Sequence, residues 1–343
     1  MIPLDPTTLI VITIVIALLF DFTNGWNDDA NAVATIVSTR VLKPYTAVIM
    51  AAILNFAGAF LGTAVAKAIS GKIVEPKVVS EMIILSAMAG AAVWVTICTI
   101  IGLPISCSHT LMGGLIGASL AGNSWDFGIL KMEGITPIII AIFASPILSF
   151  IAGYLLCTCI MFFFRKLSLS KVNRIFGPLQ MVSAGFMSLN HGMNDAQKVM
   201  GVITLALFSG GFIGKNIEGG IEVPIWVIAA CATAIALGTA VGGWRVIRTL
   251  GMKLVHIKPY QGFSAETGAS IVLLTAAQTG IPVSTTHNIT GAIVGVGTAQ
   301  RFGDVSWLLG WRILIAWLLT IPTAAIFSAG FFYVVDALFR VAR

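Results

Sequence analysis

Residues 102–119, GLPISCSHTLMGGLIGAS, are repeated as GIPVSTTHNITGAIVGVG at residues 280–297. Glycine, proline, serine and histidine recur in register at an offset of 178, and Gly90–Ala91 and Gly268–Ala269 share that offset. Self-similarity at a fixed period indicates repeated structural units. This stretch therefore predicts that the chain consists of two homologous halves.

Two further matches follow the same order along the chain. GTAV at 62–65 recurs at 238–241 with an offset of 176, and NGWNDDANAV at 24–33 aligns with HGMNDAQKVM at 191–200 with an offset of 167. The polar, basic stretch RKLSLSKVNR at 165–174 separates the two halves. Four matches in one order favour a duplicated unit over chance similarity.

The composition indicates a membrane protein. Hydrophobic residues make up 57% of the chain and charged residues 10%, with a mean hydropathy of +0.98, whereas soluble domains carry about 25% charged residues. Several apolar runs are long enough, or nearly so, to cross about 30 Å of hydrocarbon, namely 47–66, 83–101, 135–164, 225–241 and 307–332. Period-2 alternation is absent, so we predict an all-α integral membrane protein with ten to twelve full or partial crossings.

The positive charges follow membrane orientation. The net charge is +6, but the basic residues lie in loops and at helix ends, so we expect no nucleic-acid partner. Lysine and arginine bias loops to the cytoplasm. The loop at 67–81 balances Lys72 and its neighbours with two glutamates, whereas its counterpart at 245–258, which includes Lys253, has no acidic residue. Equivalent loops on opposite sides predict inverted repeats.

The predicted organisation has three parts. Residues 1–164 form a first membrane repeat, residues 165–176 a basic cytoplasmic linker, and residues 177–343 a second, inverted membrane repeat. We expect a multi-pass protein of the cell (plasma or inner) membrane, with the lipid bilayer as its surroundings. Inverted repeats with interrupted helices are typical of secondary transporters, whose sites lie at the interruptions.

Each half carries three polar residues at i, i+4 and i+7, which share one helix face. They are Asn24, Asp28 and Asn31 in the first half and His191, Asp195 and Lys198 in the second. A carboxylate within a membrane is costly unless it is paired or coordinates an ion, and Asp and Asn oxygens suit a hard cation. The alternative is polar hydrogen bonding between helices just beyond a membrane edge.

The second pair of polar segments has a different chemistry. Proline followed by serine and threonine, then by a glycine-rich apolar stretch, is typical of the start of a half-helix, whose free amides and dipole attract anions. Simple helix capping is the alternative for each hydroxyl. His109 and His287 lie in the same segments, and we interpret them as packing residues rather than metal ligands.

At these motifs the chain resembles the inorganic phosphate transporter (PiT) family. The matching segments are NGWNDDANAVATIVSTR, LNHGMNDAQKVMG, GLPISCSHT and GIPVSTTHN, which lie in both halves. The resemblance implies an inverted-repeat fold with broken helices and re-entrant half-helices, symport of phosphate with cations, and usually a homodimer. It does not imply an enzyme.

The resemblance also assigns individual residues. Asp28 and Asp195 become the cation-binding carboxylates, and His191 belongs to the second signature. Glu266, in GFSAETGAS, matches a functionally important acidic position of eukaryotic members. Its first-half equivalent is expected at Asn55, where those members carry a glutamate. Because this chain has an asparagine where those members have a glutamate, their ion stoichiometry does not transfer directly to this chain.

The predicted sites combine both sources. The predicted phosphate ligands are Ser106, Ser108, Thr110, Ser284, Thr285, Thr286, Asn27, Asn194 and Gln197. The predicted ligands of co-transported sodium ions are Asp28, Asp195, Asn24, Asn31, Asn190 and Glu266, with His191 and Asn55 nearby.

The predicted function is import of inorganic phosphate by sodium symport, with alternating access around a midplane site between the repeats. Sodium is favoured because amide oxygens bind sodium but do not usefully take up a proton at physiological pH. A proton-coupled phosphate permease and a sulfate or oxyanion permease remain alternatives. An ion channel, an intramembrane hydrolase and a divalent-metal transporter explain the duplicated site less well.

Overall fold

The computed structural model describes residues 6–66, 79–214, 222–279 and 283–340. The segment 67–78, which contains the loop residue Lys72, and the first residues of the GIPVSTTHN motif lie outside these ranges. The described α-helices are α1 (Pro6–Ser38), α2 (Pro44–Gly58), α3 (Glu81–Ile101), α4 (Cys107–Gly122), α5 (Met132–Phe164), α6 (Leu169–Ser209), α7 (Ile225–Val241), α8 (Trp244–Arg248), α9 (Pro259–Thr279), α10 (Thr285–Gln300) and α11 (Trp307–Arg340).

Several of these helices are built to cross a membrane. Among the described residues, four helices are both long and apolar enough, namely Thr7–Ser38, Glu81–Ile101, Met132–Phe164 and Trp307–Leu338. A fifth candidate span, α7 with the helical segment 244–254, bends by 60° at its break. The predicted all-α membrane fold is confirmed.

Two helices are too short to cross. α4 and α10 have 16 residues each, which at about 1.5 Å per residue gives roughly 24 Å, less than the roughly 30 Å hydrocarbon core. They begin at the duplicated Ser-Thr segments, where Pro104 and the extended residues after it prevent helix from continuing out of α3. The predicted half-length helices therefore begin at the two segments in which the repeated sequence predicted them.

The polar connection between the halves is shorter than predicted. α5 ends at Phe164 and α6 begins at Leu169, so most of the predicted linker 165–176 is helix. Val172 and Phe176 are buried and explain why the helix starts early. Their spacing places the two apolar side chains on one helix face, and burial of this face stabilises the first turns of α6.

The two halves pack in matching ways. α1 packs against α7 while its counterpart α6 packs against α2, and half-helix α4 packs against α11 while half-helix α10 packs against α5. Each half-helix therefore contacts the last long helix of the other half. This exchange interlocks the halves and is consistent with the predicted inverted repeat.

Two glycines show how closely the repeated crossings match. A Cβ atom on Gly25 of α1 would lie 2.2 Å from the backbone oxygen of Ile235 in α7, and one on Gly192 of α6 would lie 2.1 Å from that of Asn55 in α2. Only glycine permits such an approach of two backbones. Because Gly25 and Gly192 are repeat equivalents, the same crossing is built twice.

The repeat register corrects one implied equivalence. Asn55 lies in α2 and matches Ile235 of α7, because both approach the equivalent glycines just described. This offset of 180 replaces the 176 that the GTAV match predicted. Glu266 lies in α9, whose counterpart is α3, and at the offset of 178 it matches Met88. The predicted pairing of Asn55 with Glu266 is therefore wrong, since the two residues belong to different elements of the repeat.

The protein exposes apolar side chains and buries polar ones. Ile140, Phe163 and Leu319 are 60%, 75% and 53% exposed, whereas the Asn and Asp residues of both signatures are buried. This distribution suits a hydrocarbon solvent around a polar interior. It places the candidate site between the helices.

Candidate substrate and cation site

The half-helices start with serine caps. Ser106 accepts a hydrogen bond from the backbone amide of His109, and Ser284 accepts one from His287, each at 3.2 Å. The Thr110 hydroxyl donates to the Ser106 carbonyl at 2.9 Å. These three hydroxyls were predicted as phosphate ligands, but their contacts are those of helix termini.

The two half-helix starts meet each other. The Ser108 hydroxyl donates to the Val283 carbonyl at 3.1 Å, and the Thr286 hydroxyl donates to the Ile105 carbonyl at 2.9 Å. Each bond joins one half-helix to the chain that precedes the other. The first amides of a helix have no partner inside it and carry its positive dipole end, so two converging N-termini form a favourable anion site.

Asp28 and Asp195 lie directly against the start of α10. The Thr286 hydroxyl lies 3.1 Å from Asp28 Oδ1. The Thr285 hydroxyl lies 3.2 Å from Asp195 Oδ2 and 3.5 Å from Asp28 Oδ2. Both carboxylates are buried. Thr285 therefore connects the acidic residues of the two signatures, as the sequence predicted for one shared site.

His191 completes a compact group of cation-ligand atoms. One ligand atom each from Asp28, His191 and Asp195 lies within 4.8 Å of the others. His191 Nε2 is 3.2 Å from Asp195 Oδ2, while Nδ1 is 3.2 Å from Asn55 Oδ1. Asn55 in turn donates to Thr239 at 2.9 Å. Asn55 thus orients the histidine and does not itself reach the carboxylates.

Lys198 supplies a buried positive charge to the same group. It is 2% exposed, and its ammonium donates to Asp195 Oδ1, to the Ser108 hydroxyl and, at 3.3 Å, to the Val283 carbonyl. A buried cation requires a paired anion and hydrogen-bond acceptors. Lys198 has both, and it links the second signature to the start of α4.

The orientation of Asn27 bears on its predicted role. Its amide nitrogen donates to the Thr99 hydroxyl at 2.8 Å, and Thr99 uses its own hydrogen on the Val95 carbonyl at 2.8 Å. Because Thr99 can only accept, the Asn27 oxygen is the atom left without a partner. This oxygen can accept only, which suits a cation, while the amide nitrogen retains a second N–H that can donate.

Asn194, the repeat equivalent of Asn27, shows the same arrangement. Its nitrogen donates to the Asn190 backbone carbonyl at 2.9 Å, and its side-chain oxygen has no partner. Asn27 and Asn194 remain predicted phosphate ligands, because each amide nitrogen uses only one of its two N–H groups in these bonds. Asn190, predicted as a sodium ligand, contributes its backbone carbonyl to the Asn194 nitrogen.

Two further amides of α1 present unpartnered oxygens. The side-chain oxygens of Asn24 and Asn31 are buried without a hydrogen-bond partner. The Asn31 nitrogen donates to the hydroxyls of Thr285 and Thr286 at 3.2 and 3.0 Å. Asn24 and Asn31 share a helix face with Asp28 on α1, and their free oxygens are of the kind that a hard cation requires.

Gln197 lies apart from the half-helix starts. Its side-chain oxygen accepts from the backbone amides of Val65 and Ala66, at 2.9 and 3.4 Å. The prediction of Gln197 as a phosphate ligand does not match these contacts. The residue instead holds the chain that follows α2.

Glu266 belongs to a second polar cluster. Its carboxylate accepts from Thr35 at 2.5 Å, from Gln180 at 3.1 Å and from Ser183. Thr35 is seven residues beyond Asp28 on α1, which is about 10 Å along a helix axis. Glu266 was predicted among the sodium ligands, and the structure places it away from Asp28 and Asp195.

The sequence analysis missed the partners of Glu266 and two buried acids. Thr35 is one turn past Asn31, and Gln180 is about three turns before His191. Each residue therefore lies on the polar face of its signature helix, and helical periodicity continued beyond the two signatures would have indicated it. Asp21 and Asp29 are fully buried on α1. Asp29 adjoins Asp28 and points to another face.

The two half-helix histidines pack against aromatic rings. His109 and His287 lie edge to face with ring centroids 4.6 Å apart, and His287 stacks on Trp317 at 3.7 Å. The grouped cation-ligand atoms of the described residues do not include them. Their interpretation as packing residues agrees with these contacts.

Known proteins share this fold and these motifs. The phosphate transporter family (PHO4) matches residues 24–328. A probable low-affinity inorganic phosphate transporter of Rhizobium meliloti is 45% identical over 96% of this chain and 97% of its own length. A protein of Bacillus subtilis described in the same words is 40% identical over 96% and 98%.

A solved structure described as the sodium-dependent phosphate transporter is similar over the whole molecule. It superposes with a TM-score of 0.84 at 25% identity, covering 96% of this chain and 99% of its own. The relatives are named as transporters and permeases and not as enzymes. The chain belongs to the phosphate transporter family.

Proposed function

We propose that this phosphate transporter imports inorganic phosphate by sodium symport, with alternating access around the site between α1, α4, α6 and α10. The observation that carries the sodium assignment is the set of unpartnered amide oxygens on the same helix as Asp28, those of Asn24, Asn27 and Asn31. Such oxygens are good ligands for sodium, and they do not usefully take up a proton at physiological pH. The name of the similar structure supports the same ion.

Charge explains why a cation must accompany the anion. Phosphate carries one or two negative charges, and Asp28 and Asp195 add two more in the same region, of which the Lys198 ammonium offsets one. Like charges about 4 Å apart repel by roughly 4 kcal/mol at an effective dielectric constant of 20. A sodium ion at Asp28 removes most of this repulsion, so the site binds phosphate well only after sodium has entered.

The hydroxyls at the half-helix starts are the proposed phosphate donors. Ser108, Thr285 and Thr286 lie at the converging N-termini. The two threonines contact the Asp195 and Asp28 carboxylates, and Ser108 contacts the Lys198 ammonium. When a cation binds the carboxylates, these hydroxyls can turn towards phosphate oxygens together with the first helix amides. Phosphate binding and sodium binding then depend on each other through shared donors.

The interlocked repeats support the proposed alternating access. Because each half-helix packs on the last long helix of the other half, movement of one unit against the other opens the site to one side while closing it to the other. Secondary transporters built from inverted repeats use such rigid-body motions. We also propose a homodimer in the cell membrane, which light scattering of the purified protein tests.

Uptake into proteoliposomes tests the coupling ion. Labelled phosphate is supplied at fixed pH with an inward sodium gradient, and then with sodium replaced by choline. We expect accumulation above the external concentration only with the sodium gradient. A channel would equilibrate phosphate without accumulating it.

The same assay separates the alternatives. Accumulation that survives choline and follows an imposed proton gradient would assign proton coupling. Proton coupling is the main alternative to sodium coupling, because Lys198 already neutralises one carboxylate. Sulfate is added as a competitor, and inhibition equal to that by unlabelled phosphate would assign a general oxyanion permease.

A further inference from the structure

Lys198 occupies the second-half equivalent of the Asn31 position. The Asn31 nitrogen donates to Thr286 at 3.0 Å, and the Lys198 nitrogen donates to Ser108. Thr286 and Ser108 are themselves repeat equivalents at the offset of 178. The same bond between a long helix and a half-helix is thus made twice, once by an amide and once by an ammonium.

Asn31 and Lys198 differ in which polar atoms remain without a hydrogen-bond partner. Asn31 keeps a buried side-chain oxygen without a hydrogen-bond partner, and it lies one turn after Asp28 on the same helix. Lys198 has three N–H donors, and they match three acceptors, namely the Asp195 carboxylate, the Ser108 hydroxyl and the Val283 carbonyl. The first half therefore offers ligands to a cation, whereas the second half already contains one.

We infer that the Lys198 ammonium does in the second half what a sodium ion does in the first, as a tethered cation that lowers by one the number of ions the site takes from solution. This inference rests on the proposed sodium symport. A covalently attached group is present at a high effective concentration, so Asp195 remains neutralised at any sodium concentration. Asp28 then makes the site depend on sodium.

Two other roles for Lys198 make different predictions. If the side chain only fills space, an apolar residue of similar length should replace it well. If the ammonium binds phosphate directly, every neutral replacement should lower the phosphate affinity alike. A tethered cation is replaced only by a residue that recruits a cation from solution, as Asn31 does.

The experiment compares Lys198→Asn with Lys198→Met. Purified protein in detergent is titrated with radioactive sodium in the absence of phosphate, and the initial rate of phosphate uptake into proteoliposomes is measured against sodium concentration. Lys166→Asn, at an exposed lysine between α5 and α6, is the matched control. Where the asparagine variant does not reach the membrane, Lys198→Gln takes its place.

We expect Lys198→Asn to bind about one more sodium ion per chain and to take up phosphate with a Hill coefficient for sodium higher by about one, since a cation from solution replaces the tethered one. Lys198→Met should bind no additional sodium and lose uptake. Lys166→Asn should match the unmodified protein.

Four outcomes would overturn the inference. An asparagine variant that binds the same number of sodium ions as the unmodified protein refutes the tethered cation. A methionine variant that transports as well as the asparagine variant assigns packing alone, and equal loss of phosphate affinity in both assigns direct phosphate binding. If phosphate uptake by the unmodified protein does not depend on sodium, both the inference and the proposed sodium coupling are refuted. The three variant results refute the inference alone.

Discussion

The surroundings of Asp28 and Asp195 differ although the repeats place both carboxylates equivalently. The hydroxyls of Thr285 and Thr286 lie 3.5 and 3.1 Å from the Asp28 carboxylate. Asp195 is instead paired with the Lys198 ammonium and lies next to His191. Duplication preserved the backbone and the hydroxyl contacts. The side chains at the equivalent positions 31 and 198 differ, so an amide lies in one half and an ammonium in the other.

The difference shows how a symmetric scaffold can have an asymmetric function. Helix crossings depend on small residues that leave no room for change, as at Gly25 and Gly192. A polar side chain at the site can change as long as its hydrogen bonds and charge remain balanced. The following experiments test the comparison, beginning with the largest expected effect.

Neutralising either Asp28 or Asp195 should abolish phosphate uptake, but for a different physical reason in each case. Asp28→Asn keeps the shape but cannot hold a dehydrated cation, so the protein should fold normally and not transport. Asp195→Asn leaves Lys198 as a buried unpaired charge, which costs about 3–5 kcal/mol, so we expect lower thermal stability as well. Uptake and thermal unfolding of the purified variants measure both effects.

The controls for these variants are specific. Asp304→Asn, at an exposed acid, should change neither property. Adding Lys198→Met to Asp195→Asn should restore stability and not uptake. Equal stability losses at Asp28 and Asp195 would contradict the charge difference between the halves.

The matched glycine crossings should be equally intolerant of substitution. In Gly25→Ala and Gly192→Ala the added carbon would meet a backbone oxygen at 2.2 and 2.1 Å. Overpacking costs about 1–3 kcal/mol or more, so both variants should unfold at lower temperature by similar amounts. Gly177→Ala, where nothing lies within 4 Å, is the control, and a large difference between Gly25 and Gly192 would show that the crossings are not equivalent.

The equivalent hydroxyls at the half-helix starts should matter for phosphate. Ser108→Ala and Thr286→Ala each remove one donor to a charged oxygen, and the half-saturating phosphate concentration should rise about tenfold, which corresponds to about 1.4 kcal/mol. Sodium binding without phosphate should change little. Thr158→Ala, at an exposed threonine of α5, is the control, and unchanged phosphate affinity in the double variant would leave only helix capping as their role.

Glu266 is matched in the first half by the apolar Met88 and should have the smallest effect on transport. Glu266→Gln weakens hydrogen bonds from Thr35, Gln180 and Ser183, so we expect a loss of about 1–3 kcal/mol of stability at an unchanged sodium requirement. The exposed acid in Glu133→Gln serves as the control. A raised sodium requirement would instead return Glu266 to the sodium ligands predicted from sequence.

Local patterns in the sequence were sufficient for the class of protein and for the central residues. Hydropathy indicated the membrane helices, the repeat indicated two halves, and the i, i+4, i+7 spacing put Asp28 and Asp195 on polar faces. These properties depend on neighbours within a few turns, because the bilayer and helix geometry act on each segment separately. The short half-helices follow from Pro104 and the Ser-Thr caps in the same way.

Tertiary structure alone decided which atoms face one another. The bonds that define the site join residues 90 positions apart for Lys198 and Ser108 and 255 apart for Asn31 and Thr286. Which atom of Asn27 is free depends on Thr99, and the separation of Glu266 from Asp28 depends on how α9 packs against α6. Helix periodicity fixes the face of a side chain but not its partner, since the partner is set by how distant helices cross.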